Sequence, residues 1–544
     1  MTLRDAYQVL TANEAAAGSE PIIIELVFAE PQNPAEVEAQ ITEQLPNAPV
    51  SVTTAFGGDT DQFLFAAFEG IRERGQEPEI FALARQLRAA LDALEANPVL
   101  TDSIYGAAAV DAATDAESFG NLCSTDRTNL QPFGWPHKII HTPQAWRKSR
   151  GQGATVAVID TGYSTHQELN GAIRQTDQLN LVEGGTDAHD KFSSGFLKNP
   201  GHGTLVCSVV ASRGDVDEDG NVANNGAVVG SAPEAEILPI RAIKSVVNFR
   251  QSTLPKAIAH AINHGADVVA MALGGPTRVA STERALRMAA DAGLVVVCAA
   301  GNCWPKVVFP AAYAANDICT AVAALTHSLR PWAKSGQGLQ VTIAAPGENV
   351  WGAAKNAATD PDNGVKASQG TTLATSLTAG VAACWVARHG GRAALRVKAQ
   401  ASGTTVQALF NSSVTHNIQK PAVWNGSNKL GAGVVDAEKA LNAPLAPGTE
   451  AVAGTVPGPA GVTSTLGVLQ THLASHDPDA LEDFGAELAE FAGEILWLSH
   501  RAGAKARAAE SLDNEAAVGA NRASDELAAA LADKPVLKSV LRTL

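Results

Sequence analysis

Cysteine is scarce: six residues in 544, at positions 123, 207, 298, 303, 319 and 384. No two stand as Cys-x-x-Cys, which excludes the metal and redox motifs built on that spacing, and a disulfide scaffold cannot stabilise so long a chain with so few. The reading that follows is of reduced, buried thiols in a cytoplasmic protein. A bridge between Cys298 and Cys303 stays open, although it would close a very small loop. Long hydrophobic runs are missing too, and no stretch of about 18 apolar residues exists to span a bilayer. The opening "MTLRDAYQVLTANEAAAG" lacks the basic start and apolar core of a secretory signal. Basic charge is short: 40 Lys and Arg stand against 56 Asp and Glu, a net charge of −16. With the acidic residues dispersed, there is no basic face of the kind nucleic-acid binding requires.

What is present is globular material. Hydrophobic residues make up 45% and charged residues 18%, and the length predicts two to four domains. After an N-terminal segment, 1–19, residues 20–105 read as an α+β unit. "IIIELVFA" (22–29) is a strand, and Pro34 opens a helix with Val37, Ile41 and Leu45 on one face. "VSVTTAF" and "QFLFAAFE" are strands joined through "GGDTD". "EIFALARQLRAALDALEA" is an amphipathic helix and "PVLTDSIYG" a last strand. Strand, helix, strand, strand, helix, strand is the ferredoxin-like order. Residues 106–131, rich in Ala, Asp, Ser and Asn, read as an exposed linker and possible processing region.

From 132 to 443 short apolar runs alternate with helical segments: "ATVAVID", "EILPIRAI", "ADVVAMAL", "LVVVCAAG", "DICTAVAAL" and "VTIAAPG". Strands apolar on both faces belong to a parallel sheet sandwiched by helices, an α/β fold. In such sheets chemistry gathers at the carboxyl ends of the strands. Residues 444–464 form a Pro/Gly/Ala linker. The region 465–544 is helical, with a helix start at Asp477-Pro478 and Phe484, Leu488, Phe491, Ile495 and Leu498 on one face. That face predicts packing on a neighbour, either within the chain or on a partner protein.

Four strand-end residues carry reactive groups. Asp160 ends "ATVAVID", His202 lies between two glycines in "NPGHGTLVCSVV", and Asn302 ends "VVVCAAGN". "SQGTTLATSLTAG" then places two hydroxyls at the mouth of an apolar helix. Each alone has an ordinary reading as a turn former, a structural histidine or a helix cap. Together and in this order they resemble the subtilisin-like serine proteases. The resemblance covers 132–443 through Asp-Thr-Gly (160–162), Gly-His-Gly-Thr (201–204), "LGG" (273–275), Ala-Ala-Gly-Asn (299–302), "FPAAY" (309–313), "AAPG" (344–347), Gly-Thr-Thr-Leu-Ala (370–374) and "GAGVVDAEKAL" (431–441). It implies a peptidase with Thr372 in the nucleophile position, His202 as general base and acid, and Asp160 orienting the ring. Asn302 and the backbone N–H of residue 372 would hold the oxyanion. Ala272, Leu273, Gly274 and Gly275 would wall a cleft that takes protein or peptide substrate as an added strand. It also likens the 20–105 unit to an inhibitory propeptide, an intramolecular partner, and implies no cofactor for the chemistry.

Three departures stand out. Thr372 stands where the family has serine, and its methyl restricts χ1 and occupies space the imidazole or substrate carbonyl would use. Reduced turnover, an inactive peptide-binding protein and a trapped precursor are all compatible with that change. Ser376 replaces a usual proline, and Ala272 a frequent serine. Finally, "DVDEDGNVANNG" (215–226) sets Asp215, Asp217 and Asp219 at the spacing of a calcium loop. Its twelfth position is Gly226 rather than Glu, so structural calcium competes there with a solvated acidic loop.

Overall fold

The fold is described from a computed structural model, which covers residues 2–12, 20–71, 73, 76–100, 130–193, 198–222, 228–246, 251–302, 306–421, 429–445, 461–476, 479, 481, 484–499 and 523–538. Four strands, β1 (Ile22–Gln32), β2 (Val50–Thr54), β3 (Asp61–Phe68) and β4 (Glu95–Val99), form an antiparallel sheet in the order β2-β3-β1-β4. With helices Pro34–Gln44 and Glu77–Ala90 between them, this is the expected ferredoxin-like arrangement. The last strand begins three residues before the "PVL" anticipated for it. Asp92 takes a left-handed backbone (φ 51°) that ends the helix, and Glu95 already pairs with Val27. Residues 101–106 of the anticipated strand lie outside the described residues. Residues 3–11, not anticipated as an element, form a helix whose N-terminus is closed by a Thr2–Asp5 capping box.

The larger body holds a seven-stranded, wholly parallel sheet: β5 (Thr155–Asp160), β6 (Leu179–Asn180), β7 (Glu236–Arg241), β8 (Val268–Met271), β9 (Val295–Ala299), β10 (Thr320–Leu325) and β11 (Ile343–Pro346). Their order is β11-β10-β9-β8-β5-β7-β6. The apolar runs are buried on both sides, as a sheet covered by helices requires. Because all strands run one way, the chain segments that follow β5, β8 and β9 emerge along one edge. Chain order turns back around β5, whose neighbours are β7 and β8, so the edge beside its carboxyl end is the place for a site. The helix Thr371–Arg388 crosses beneath β8–β11 and is buried from Thr371 to Val386, with small, hydroxyl and apolar side chains on every face.

The C-terminal region joins the smaller unit. Leu488, Phe491 and Ile495 share one core with Leu83 and Leu87 of the helix Glu77–Ala90. The helical face anticipated around Phe484–Leu498 therefore packs within the chain; the helix start at 477–478 and the linker residues 446–460 lie outside the described residues. Cys207, Cys298, Cys319 and Cys384 are free and buried, while Cys123 and Cys303 are outside the described set. Among the described residues no helix is long and apolar enough to cross a membrane.

Candidate active site

Asp160 is the last residue of β5 and fully buried. Its Oδ1 accepts the Thr161 N–H at 2.7 Å, and both its oxygens face His202 Nδ1, at 2.9 and 3.1 Å. A carboxylate in that position keeps the proton on Nδ1 and leaves Nε2 as the acceptor. Nε2 lies 3.2 Å from Thr372 Oγ. His202 opens the helix His202–Ala211 after Gly201, whose φ of 76° suits glycine. Gly203 packs so tightly on the Gly162 carbonyl that any side chain would collide with it. Three distant chain segments thus converge into one hydrogen-bonded line, Asp160–His202–Thr372.

Thr372 is the second residue of the helix Thr371–Arg388 and nearly buried. First-turn amides have no partner within their own helix, so its N–H is available to an incoming oxygen. Its neighbours fix the turn. Asn302 Oδ1 accepts both the N–H and the hydroxyl of Thr371, each at 2.8 Å, and Thr371 Oγ accepts the Gly301 N–H at 3.3 Å. With Oδ1 engaged, the Asn302 amide nitrogen is the end directed to an oxyanion. Gly370 lies against it: a Cβ there would stand 2.7 Å from Asn302 Nδ2, at a φ of 137°. Ser376, in place of the expected proline, bonds its hydroxyl to the Thr372 carbonyl at 2.9 Å, and the helix continues unbroken.

Ala272–Gly275 follow β8 as anticipated, and the Gly274 N–H donates to the Val246 carbonyl while Gly275 exchanges two bonds with Phe309. Val308 presses on the backbones of both Gly274 and Gly301, which explains glycine at each.

The sequence left the support behind His202 unseen. Asp190 Oδ2 accepts the Gly201 N–H at 2.7 Å and the Thr161 hydroxyl at 2.9 Å, and that hydroxyl in turn accepts the Gly203 N–H at 3.1 Å. Buried Arg241 reaches the Thr161 carbonyl, Asp190 at 3.6 Å, and Glu183 through two bonds of 2.7 Å. The guanidinium beside Glu183 holds that carboxyl down to about 2. The only foretaste of this in the sequence is an arginine inside an apolar strand, "EILPIRAI".

In the described part of the acidic loop, 215–222, Asp215 and Asp217 have other partners. Asp215 reaches Arg150 at 3.3 Å, and Asp217 accepts from the backbone of Asp219 and from the backbone and side chain of Asn221. Asp219 joins no such set: among the described residues no three His, Cys, Asp or Glu side chains are grouped to hold a metal.

Comparison with known proteins identifies the family. Residues 151–433 match the subtilase family. The chain is 32% identical over 271 residues to thermitase of Thermoactinomyces vulgaris, covering 49% of this chain and 86% of thermitase. It is 29% identical over 313 residues to subtilisin Savinase of Lederbergia lenta, covering 57% of this chain and 99% of that protein. A solved protease structure from Pseudoalteromonas arctica superposes with a TM-score of 0.44 at 26% identity, over 56% of this chain and 93% of the other.

Proposed function

The chain belongs to the subtilase family, and we propose that it is a subtilisin-like endopeptidase whose turnover is held low by Thr372. The observation that carries this reading is the unbroken line from Asp160 through His202 to the Thr372 hydroxyl. In the proposed reaction Thr372 Oγ attacks the substrate carbonyl while its proton passes to His202 Nε2. Asp160 stabilises the imidazolium, and the Asn302 amide and the Thr372 N–H take the developing oxyanion. The proton then moves to the leaving amine, and water, deprotonated by the same imidazole, releases the acyl group and restores the threonine.

Against this stands the β-methyl of Thr372 in a nearly buried site. A hydroxyl 3.2 Å from its base is close enough to be activated, but the methyl leaves little freedom to swing toward a carbonyl. That feature favours a second reading, a binding protein with an intact but silent cleft. Thr372→Ser separates the two. On the peptidase reading it raises casein hydrolysis, or self-cleavage within 106–131, by about 10²-fold, and His202→Ala removes the activity. A folded Thr372→Ser protein that stays inert while binding peptide would establish the silent cleft.

The 20–100 unit supports a propeptide-like role. Glu25, buried on β1, accepts the N–H groups of Ala280 and Ser281 at 2.7 Å each and the Ser281 hydroxyl at 2.6 Å. It thereby caps the helix Ala280–Asp291 of the larger body. Leu100, the last described residue before 130, shares a core with Val308, which abuts the cleft glycines.

A further inference from the structure

The C-terminal region grips the small unit at two places. At the first, Arg85 of the helix Glu77–Ala90 donates to Glu494 at 2.9 Å and to Glu526 at 2.6 Å, and its guanidinium lies 4.6 Å above the Phe491 ring. Glu494, nine-tenths or more buried, also accepts the N–H of Ser524 at 2.6 Å and its hydroxyl at 2.9 Å. The two stretches 484–499 and 523–538 are thus bound to each other and to one arginine. Gly493 brings backbone against β4: a Cβ there would meet Asn97 Oδ1 at 2.9 Å.

The second grip involves all three regions. Thr465 donates its N–H to Glu95 Oε1 at 3.0 Å and its hydroxyl to Oε2 at 2.5 Å. That hydroxyl accepts from Asn97 at 3.1 Å and from Arg278 of the larger body at 2.8 Å. Arg278 also holds the Thr463 carbonyl, and Glu283 accepts the Thr463 N–H and hydroxyl at 3.0 Å each. The C-terminal region is therefore fastened to the peptidase body at Thr463 and Thr465 and to the small unit at Thr465, Phe491, Glu494 and Glu526. Two attachments on one body hold a ligand far better than either alone.

We propose that residues 461–538 are a clasp: they keep the small unit docked after the connection through 101–129 is cut, so that loss of the clasp, and not the cut, frees the cleft. This rests on the reading of the small unit as inhibitory. Hydrolysis in 101–129 consumes one water and leaves a new carboxylate and a new amine; it removes the covalent tie and none of the contacts above.

The test uses the full chain, folded first, with recognition sequences for two added site-specific proteases placed within 101–129 and within 446–460. After the first cut alone, the N-terminal fragment co-elutes with the rest in size exclusion. After both cuts the 461–544 segment is no longer joined to the body by a peptide bond, and on dilution it leaves the 130–445 body together with the N-terminal fragment it holds. Arg85→Glu, which touches no catalytic group, releases the fragment after the first cut alone. Release from the parent chain after the first cut, or retention after both, overturns the clasp. Casein hydrolysis in a Thr372→Ser background tests the underlying reading separately. Fragment release without a gain in hydrolysis overturns the inhibitory role and leaves the physical attachment standing.

Discussion

At the scale of single residues, function turns on groups whose neighbours leave one atom free. Asn302 is such a group, since its Oδ1 is engaged by Thr371 and only its amide nitrogen can meet an oxyanion. In the Thr372→Ser background, Asn302→Ala lowers kcat by about 10²–10³ with little change in KM, a magnitude that itself comes from this family; steady-state kinetics on a short peptide substrate measure it. His137 shows the same logic in the service of stability. Its Nε2 donates to the Val229 carbonyl at 2.9 Å and its Nδ1 lies 2.8 Å from the Thr142 hydroxyl, which can donate to it, so both nitrogens of the buried neutral ring are satisfied. Burial pushes its pKa from 6.5 down to about 4. Between those values the unfolded chain binds a proton that the native ring refuses, so stability present above pH 6.5 drains away as pH falls toward 4. Thermal melts at pH 7 and pH 4.5 record the loss, and His137→Gln, which can still donate and accept, makes it smaller.

At the scale of elements, the catalytic turn depends on how strand ends and helix starts are brought together. Gly370 precedes the helix Thr371–Arg388 at a φ of 137°, pressed against Asn302. Gly370→Ala both strains the backbone and pushes the amide from its place. In the Thr372→Ser background it costs about 10²-fold in kcat/KM, while far-UV circular dichroism stays unchanged. This turn was legible in the sequence because glycine, hydroxyls and an apolar helix follow one another within a few residues. So were the strands, whose unbroken apolar runs announced a sheet buried on both faces. The support behind His202 was not legible. Asp190 lies 29 residues from Thr161 and Arg241 lies 80, and nothing local marks either as a partner. Boundaries were lost for a similar reason: Leu94 continues the helical spacing of 77–90, yet Asp92 has already ended the helix and Leu94 donates its N–H to the Val27 carbonyl. An amphipathic face in 484–498 showed that something covers it; only the three-dimensional structure shows that the cover is the small unit.

For the whole molecule, the consequence is that three regions separated by hundreds of residues meet around one buried arginine. Arg278 faces Glu95 of the small unit, Glu283 of its own body, and Thr463 and Thr465 of the C-terminal segment. Nearby, Glu25 caps the helix Ala280–Asp291 with three hydrogen bonds, from β1 of the small unit and with no C-terminal residue involved. The hydrogen bonds of the two contacts are made by different residues, so each set can be removed by its own substitution. A buried hydrogen bond to a charged group contributes about 1.5–3 kcal/mol. Replacing the Glu25 carboxylate by an amide removes that charge and turns an N–H donor toward one of the two helix N–H groups that the carboxylate accepts from. Glu25→Gln weakens docking of the small unit on the body by about 10–100-fold. In the doubly cut protein, fluorescence anisotropy of a labelled N-terminal fragment titrated with the 130–445 body reads that loss directly. In the protein cut only within 101–129 the same substitution has a much smaller effect, because the C-terminal segment still holds the small unit beside its site. Equal losses in the two states would mean that the segment contributes nothing to retention.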